Sequence, residues 1–247
     1  MNKKKIAVIS DIHGNSMALT EVIRDIKNRD VDIIINLGDS LYGPLDLKGT
    51  FELLVNNNLI NISGNQDRII LENLDQDSGA LTLEYVKSQL NDKMIDWLRH
   101  LPFDTIIDNE IYGCHATPQS DTNYLLEKLE KDHVAIKNKN EIDDLLKDIK
   151  QKIVICGHSH VANIVETDNK LIVNPGSVGL PAYDDEFPIY HTMQNYNPRA
   201  NYSIINIVED SISIDRVSLD YDFEESARLA ETNKRHDWAK WIRTGIV

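Results

Sequence analysis

Short apolar runs, each closed by a small residue and then by polar side chains, recur along this chain. Residues 5–10 (KIAVIS) are apolar almost throughout, as a strand buried on both faces requires, and lead into Asp11-Ile12-His13-Gly14-Asn15. Residues 16–28 space Leu19, Val22, Ile23 and Ile26 three and four apart, which predicts a helix capped by Asn15 or Ser16. Residues 31–37 predict a second strand, ending in Gly38-Asp39. A helix over 44–57 and a short strand over 59–62 follow, the latter ending in Ser63-Gly64-Asn65-Gln66-Asp67. Residues 68–99 read as helices with turns near 77–79 and 91–92. Residues 103–107 and 111–114 predict a hairpin about Asp108-Asn109, which runs on into His115-Ala116-Thr117-Pro118.

The second half continues the pattern with more hairpins. Residues 121–131 and 140–150 are helix candidates. A strand over 152–156 is broken by Gly157 and followed by His158-Ser159-His160. Residues 163–166 and 170–173 alternate about Asp168-Asn169, and residues 202–208 and 211–217 about Glu209-Asp210, which predicts two more hairpins. Between them lie a turn-rich loop, 174–179, and an irregular stretch, 183–199. A polar helix over about 223–242 closes the chain. Interspersed strands and helices of this kind predict an α/β protein: a four-layer α/β/β/α sandwich of two mixed sheets flanked by helices. No internal repeat or low-complexity linker divides it, so residues 1–247 are read as a single domain, with 181–200 a candidate lid and 221–247 the C-terminal helix.

Composition narrows the function classes. The 247 residues are 41% hydrophobic and 27% charged, ordinary for a globular chain able to bury a core. No apolar run approaches the roughly 18 residues of a membrane span. Met1-Asn2-Lys3-Lys4-Lys5 opens like a signal peptide, but the apolar stretch behind it is too short and Asp11 closes it; the chain is read as cytoplasmic, without a membrane partner. A net charge of −14 argues against long nucleic acid, whose binding needs many Lys/Arg–phosphate contacts. A small phosphorylated substrate stays open if cations neutralise the site locally. Cys114 and Cys156 have no CxxC spacing and read as small buried residues.

The chemistry sits at the strand ends. His158-x-His160 alone is a weak signal. Asp11, His13, Asp39, Asn65, His115, His158 and His160 together are seven oxygen or nitrogen donors at five separate strand–loop junctions. Parallel neighbours bring such ends side by side. Carboxylate, imidazole and amide donors suit Mn, Fe, Ni or Zn, and seven are too many for one tetrahedral zinc. They suit two divalent ions sharing a bridging carboxylate.

Asp-x-His (Asp11, His13), Gly38-Asp39, Gly-Asn-x-Asp (Gly64, Asn65, Asp67), His115 and Gly-His-x-His (Gly157, His158, His160) resemble, in order and approximate spacing, the calcineurin-like metallophosphoesterases. The small bacterial phosphodiesterase branch is the most similar in length and layout, and the resemblance covers residues 5 to about 180. It implies that Asp11, His13 and His160 hold one metal, that Asn65, His115 and His158 hold the other, and that Asp39 bridges them. Catalytic contributions are implied for Asn15, Asn65, Asp67 and His115. Asn15 and Asn65 would hydrogen-bond phosphate oxygens, and Asp67 would orient its neighbours. Asn15 also fits a plain helix cap. The implied chemistry is direct attack on phosphorus by a hydroxide made from a shared water, without a covalent enzyme intermediate.

One position departs from the pattern. Many members of that family carry a histidine where Gln66 stands, and that histidine protonates the leaving oxygen. A glutamine donates a hydrogen bond but transfers no proton, which favours phosphodiesters or phosphoanhydrides with acidic, nucleotide-like or aryl leaving groups. His191 is a candidate replacement if its segment closes over the metals. Arg68 reads as a surface ion pair or a phosphate contact, and Trp238 and Trp241 as a packing stripe. His100 and His133 read as helix ends and His236 as a solvated helix residue. Two alternatives stand beside the enzyme: a catalytically silent scaffold for protein interaction, and a serine/threonine protein phosphatase. All seven donors are present, which favours the enzyme; the chain is open to forming a homo-oligomer.

Overall fold

The computed structural model describes residues 3–131 and 133–247; Met1 and Asn2, where the signal-peptide-like run begins, and Asp132 lie outside the described residues. Two five-stranded mixed sheets pack face to face. In the first, β1 (Lys3–Ile9), β2 (Ile33–Asn36) and β3 (Ile60–Asn61) run parallel, and β13 (Ala200–Val208) and β14 (Ser211–Leu219) continue it antiparallel in the order β14-β13-β1-β2-β3. The second comprises β4 (Asp104–Ile107), β5 (Ile111–Cys114), β8 (Ile153–Ile155), β10 (Leu171–Asn174) and β9 (Asn163–Glu166), in the order β4-β5-β8-β10-β9. Within it β5, β8 and β10 are parallel.

The apolar runs are explained by burial on both faces. Along β1, Ile6 and Val8 meet Ile35, Ile153, Ile155 and Val173 between the sheets. Ala7 and Ile9 face the other way, onto Ala18, Leu19, Val22, Ile23 and Ile26 of α1 (Ser16–Lys27). On the far side of the second sheet, Val154, Cys156, Tyr112 and Cys114 pack against Ile142 and Leu146, contributed by and just beyond α6 (Lys139–Leu145). The four layers are thus helix, sheet, sheet, helix. Both cysteines are free and buried. Among the described residues no helix is long and apolar enough to cross a membrane.

Four segments differ from the sequence expectation. Residues 121–131 are not helical: Leu125 and Leu126 both enter the core under the second sheet. The N–H groups of Thr122 and Asn123 are given to Ser120 Oγ rather than to a helical turn. The segment ends in β6 (Glu127–Leu129), paired with β7 (Val134–Ile136). His133 therefore sits between two strands rather than at a helix end. The helix expected over 140–150 stops at Leu145. The irregular stretch contains a hairpin of β11 (Ala182–Asp185) and β12 (His191–Gln194).

The C-terminal helix is two helices, α7 (Phe223–Thr232) and α8 (His236–Thr244). Arg235 N–H reaches Ala230 O and Lys234 N–H reaches Glu231 O, with Lys234 at φ 63°, a Schellman stop without its usual glycine. That is why the sequence showed no break. The remaining helices, α2 (Leu47–Asn56), α3 (Asn65–Glu72), α4 (Leu81–Gln89) and α5 (Asp92–Arg99), share a core around Leu47, Ile70, Val86 and Met94.

Candidate metal centre

Register brings the donors together. Ile9 pairs with Asn36 and Asn36 with Asn61, so the loops after β1, β2 and β3 leave the first sheet at one level. Gly113 pairs with Ile155, which does the same for the loops carrying His115 and His158. Two clusters result. Ligand atoms of Asp11, His13 and His160 lie within 4.8 Å of one another, and so do those of Asp39, His115 and His158. Asn65 Oδ1 lies 2.9 Å from His115 Nε2, which places it in the second cluster. Asp39 Oδ2 is 3.5 Å from His115 Nε2 and 3.9 Å from His13 Nε2, so one carboxylate oxygen faces both clusters.

The imidazoles are oriented by backbone carbonyls. Nδ1–H of His13 donates to Tyr42 O at 2.8 Å, that of His115 to Leu37 O at 2.8 Å, and that of His160 to Leu180 O at 2.6 Å. A carbonyl only accepts, so in each neutral ring Nε2 is the lone pair that faces the site. His158 is turned round: Nε2–H donates to Thr122 O at 2.9 Å and leaves Nδ1 free. The two aspartates follow one logic. Asp11 accepts the His158 N–H on Oδ2 at 3.1 Å, and Asp39 accepts the Gln66 N–H on Oδ1 at 2.8 Å. Each keeps its other oxygen for the site.

These residues fit divalent cations. Asp11 Oδ1 is buried without a hydrogen-bond partner and stands 3.4 Å from His160 Nε2. The Nε2 atoms of His13 and His160 face each other at 3.0 Å. Converging lone pairs and an unpartnered buried carboxylate oxygen repel one another unless positive charge lies between them. The backbone is strained toward the same end: Asp11, His13, Asp39, His158 and His160 all have φ between 52° and 68°. Side chains other than glycine rarely adopt that region, and five of seven donors doing so marks a functional constraint.

Protonation follows from burial and charge. Burial, reinforced by the neighbouring His160, lowers His13 to about 3; burial with His115 beside it lowers His158 to about 3. Burial alone opposes charge on His115, but the Asp39 and Asp11 carboxylates raise it. Burial pushes Asp39 up to about 8, whereas His160 overcomes burial at Asp11 and lowers it. Between pH 6.5 and 8, therefore, the folded chain without metal keeps a proton on Asp39 that the unfolded chain has lost. Stability then falls as pH rises, by about 1.4 kcal/mol per unit for one full proton. His115 acts in the same direction. His13 and His158 oppose it near pH 6.5, where the unfolded imidazoles are half protonated and the folded ones neutral, and their effect fades above about pH 7. The melting temperature of the stripped protein is expected to decline from about pH 7 to 8, and Mn²⁺ to restore it. A melting temperature that rises instead contradicts the assignment.

The other site candidates separate. Asp67 accepts the N–H groups of Gly64 and Ser40, both at 3.0 Å, and so ties the Asn65 loop to the Asp39 loop. Asn15 does not reach the clusters. It caps α1, accepting from Ala18 N–H at 3.2 Å and Ser226 Oγ at 3.0 Å, and donates to Gly179 O at 3.0 Å and Tyr221 Oη at 3.2 Å. With both amide atoms engaged and the residue 1% exposed, it has nothing left for a phosphate. His191 is likewise spent, on Tyr124 Oη and Ile189 O, and does not line the cleft. Arg68 is an ion pair with Asp121 and Glu72. His100 caps α5 and His236 is exposed at the start of α8.

A cleft of about 320 Å³ opens over the donors. Its walls include residues the sequence reading did not single out: Tyr42, Tyr183, Asp184, Asp185, Arg235 and Asp237. Trp238 belongs to the packing stripe yet also stands edge-on to His13, ring centres 5.7 Å apart. Segment 181–200 supplies one wall through β11. None of these positions carries a local motif; the spacing of Trp238 and Trp241 pointed only to a packing stripe.

Comparison with known proteins identifies the family and the fold. Residues 5–195 match the family model described as the calcineurin-like phosphoesterase superfamily domain. An uncharacterized protein of Methanocaldococcus jannaschii, MJ0912, is 29% identical over 96% of both chains. Among solved structures, a metallophosphoesterase from Sphaerobacter thermophilus superposes with a TM-score of 0.77 at 22% identity, covering 99% of this chain and 100% of that one. The hypothetical protein PH1004 from Pyrococcus horikoshii OT3 gives 0.73 at 18% identity and 98% of both. These similarities extend over the C-terminal helices, beyond the matched family domain.

Proposed function

Because the chain belongs to the calcineurin-like phosphoesterase superfamily, we propose that it is a dinuclear-metal phosphoesterase acting on a small phosphodiester or phosphoanhydride with a nucleotide-like or aryl leaving group. The observation that carries this reading is the pair of ligand clusters facing a single Asp39 oxygen. When bound, two divalent cations supply charge stabilisation for phosphoryl oxygens and a water of lowered pKa. Asp11, His13 and His160 hold one, and Asn65, His115 and His158 the other. Mn, Fe and Zn all suit these donors.

The chain's own groups do the rest. Backbone carbonyls fix the imidazole orientations, so no reorganisation is needed when substrate arrives. Asn65 offers its amide to a phosphate oxygen, and Asp67 holds the loop that carries it. Gln66 lines the cleft as a hydrogen-bond donor but has no proton to transfer. A poor leaving group is therefore left without help, a deficit of about 10²–10⁴ in rate. The net charge of −14 fits a small substrate drawn to the cations rather than a long nucleic acid.

The test is hydrolysis of bis-p-nitrophenyl phosphate against p-nitrophenyl phosphate on stripped protein, with and without Mn²⁺. Metal-dependent turnover with the diester preferred is expected. Gln66→His should then move the preference toward the monoester. A monoester preference in the parent overturns the leaving-group argument. Metal binding without any turnover overturns the enzyme and favours the scaffold.

A further inference from the structure

The cleft over the clusters is not the only space that reaches them. A second groove, of about 830 Å³, meets the centre at Asn65, Gln66, His158 and Asp185, all of which also line the first cleft. Beyond those four shared residues the two depressions have different walls. Their walls differ in chemistry. The first carries Asp184 and Asp237 besides the shared Asp185, with Arg235 already paired to Asp237 at 2.6 Å. The second is walled by Ile69, Leu129, Leu145, Phe187 and Pro188, with Tyr124 beside His158, ring centres 4.7 Å apart.

The cations in the second groove are engaged elsewhere. Lys128 pairs with Glu130 and Glu141, and Lys137 Nζ donates to Tyr124 O and Glu127 O. Both ammonium groups are held by partners of the protein itself, and neither is left poised to clamp a second phosphate or carboxylate. Phe187, at the tip of the β11–β12 hairpin, is 77% exposed, and its ring and Pro188 edge the groove where it opens to solvent. An exposed aromatic beside an apolar groove that continues into a candidate active centre is a surface for a flat apolar group.

We propose that this groove is the subsite for one ester arm of the substrate, and that the arm is an uncharged aromatic group, a nucleobase or an aryl ring. The proposal rests on the phosphoesterase reading and extends it. A monoester fills at most one depression, whereas a diester has an organic group on each side of phosphorus and fills both. In the reaction, water oxygen forms a bond to phosphorus, the bond to one arm's oxygen breaks, and that oxygen leaves as the alcohol or phenol with the water's proton. The other arm stays as a phosphomonoester.

Inert phosphonates test the subsite without turnover. Binding of phenylphosphonate and methylphosphonate to the Mn²⁺-loaded protein is measured by calorimetry. Phenylphosphonate is expected to bind about tenfold more tightly, the scale of a small apolar contact in an open pocket. Phe187→Ala should bring the two close together and leave methylphosphonate unchanged, since the residue is exposed and is not among the cation donors. Phe187→Asp should push the ratio below that of Phe187→Ala, by setting a carboxylate at the groove mouth. A preference that survives both substitutions overturns the groove and leaves the phosphoesterase intact. Failure of the Mn²⁺-loaded protein to bind either phosphonate overturns the phosphoesterase reading, and the subsite with it.

Discussion

Asp39→Asn is expected to abolish most metal-dependent diester hydrolysis, by about 10³-fold or more, while raising the thermal stability of the metal-free protein. The two effects have one cause. Asp39 is 2% exposed, and burial holds its carboxyl up to about 8. Ionising it inside the fold is therefore costly, and only a cation offsets the cost. Asparagine has the same shape and no charge. Its oxygen would keep the Gln66 N–H, now at 2.8 Å from Oδ1, and its NH₂ would then point at His115 and His13. Donor hydrogens would replace the acceptor oxygen that both clusters share.

Loss of a partner that merely orients a ligand costs about 10- to 100-fold, so losing a shared ligand should exceed that. Cation titration would show two sites reduced to one, and thermal melting above pH 6.5 without metal would show the gain. Two-site binding at the parent's affinity, with turnover retained, would remove Asp39 from the centre.

Gly64→Ala should damage fold and centre together. The glycine has φ −98°, so no conformational freedom is at stake there; the reason is space. A Cβ at Gly64 would sit 2.4 Å from Asp39 N, with Asp39 Oδ1 closer still. The obstacle includes backbone, and that backbone is fixed by Asp67 and by the parallel pairing beneath it. Either the Asp39 loop or the Asn65 loop must move, and each carries a ligand. Overpacking of this kind typically costs about 1–3 kcal/mol. In a chain of 247 residues that is a drop of roughly 2–4 °C in melting temperature per kcal/mol. Metal affinity should fall with it.

Gly79→Ala is the control. Nothing lies within 4 Å of its added Cβ, although φ is +66°. It should cost only about 1 kcal/mol of backbone strain and leave metal affinity unchanged. Equal losses in metal affinity at both glycines would show that the contact with Asp39 is not what matters.

The strand ends were legible because burial on both faces leaves a signature that survives in one dimension. The runs before Asp11, Asp39, His115 and His158 had to be apolar, and the polar residues beyond them had to lie at loop starts. Parallel order then forces those loops to one edge. That the donors would meet followed from this; their division into two clusters was implied only by the family resemblance.

Three kinds of information were not in the local pattern. Asn15 satisfies a helix cap and a phosphate ligand equally well in sequence; Tyr221 and Ser226, more than 200 residues away along the chain, decide it by engaging both amide atoms. Leu125, Leu126 and Leu129 are compatible with a helix face, but the core under the second sheet accepts the first two from a bent, non-helical segment. The stop after Thr232 uses a lysine where glycine is usual, so no residue type announced it.

The sequence by itself determined which side chains can bind cations and which edge of the sheets they reach, because alternation and strand order are local or nearly so. The tertiary structure decided which nitrogen of each imidazole is offered, which aspartate oxygen is free, and what walls surround the donors. Those depend on carbonyls such as Tyr42 O and Leu180 O and on a C-terminal helix folded back across the cleft. Contacts between residues so far apart leave no periodicity, since the chain between them is free to vary; only packing in three dimensions selects them.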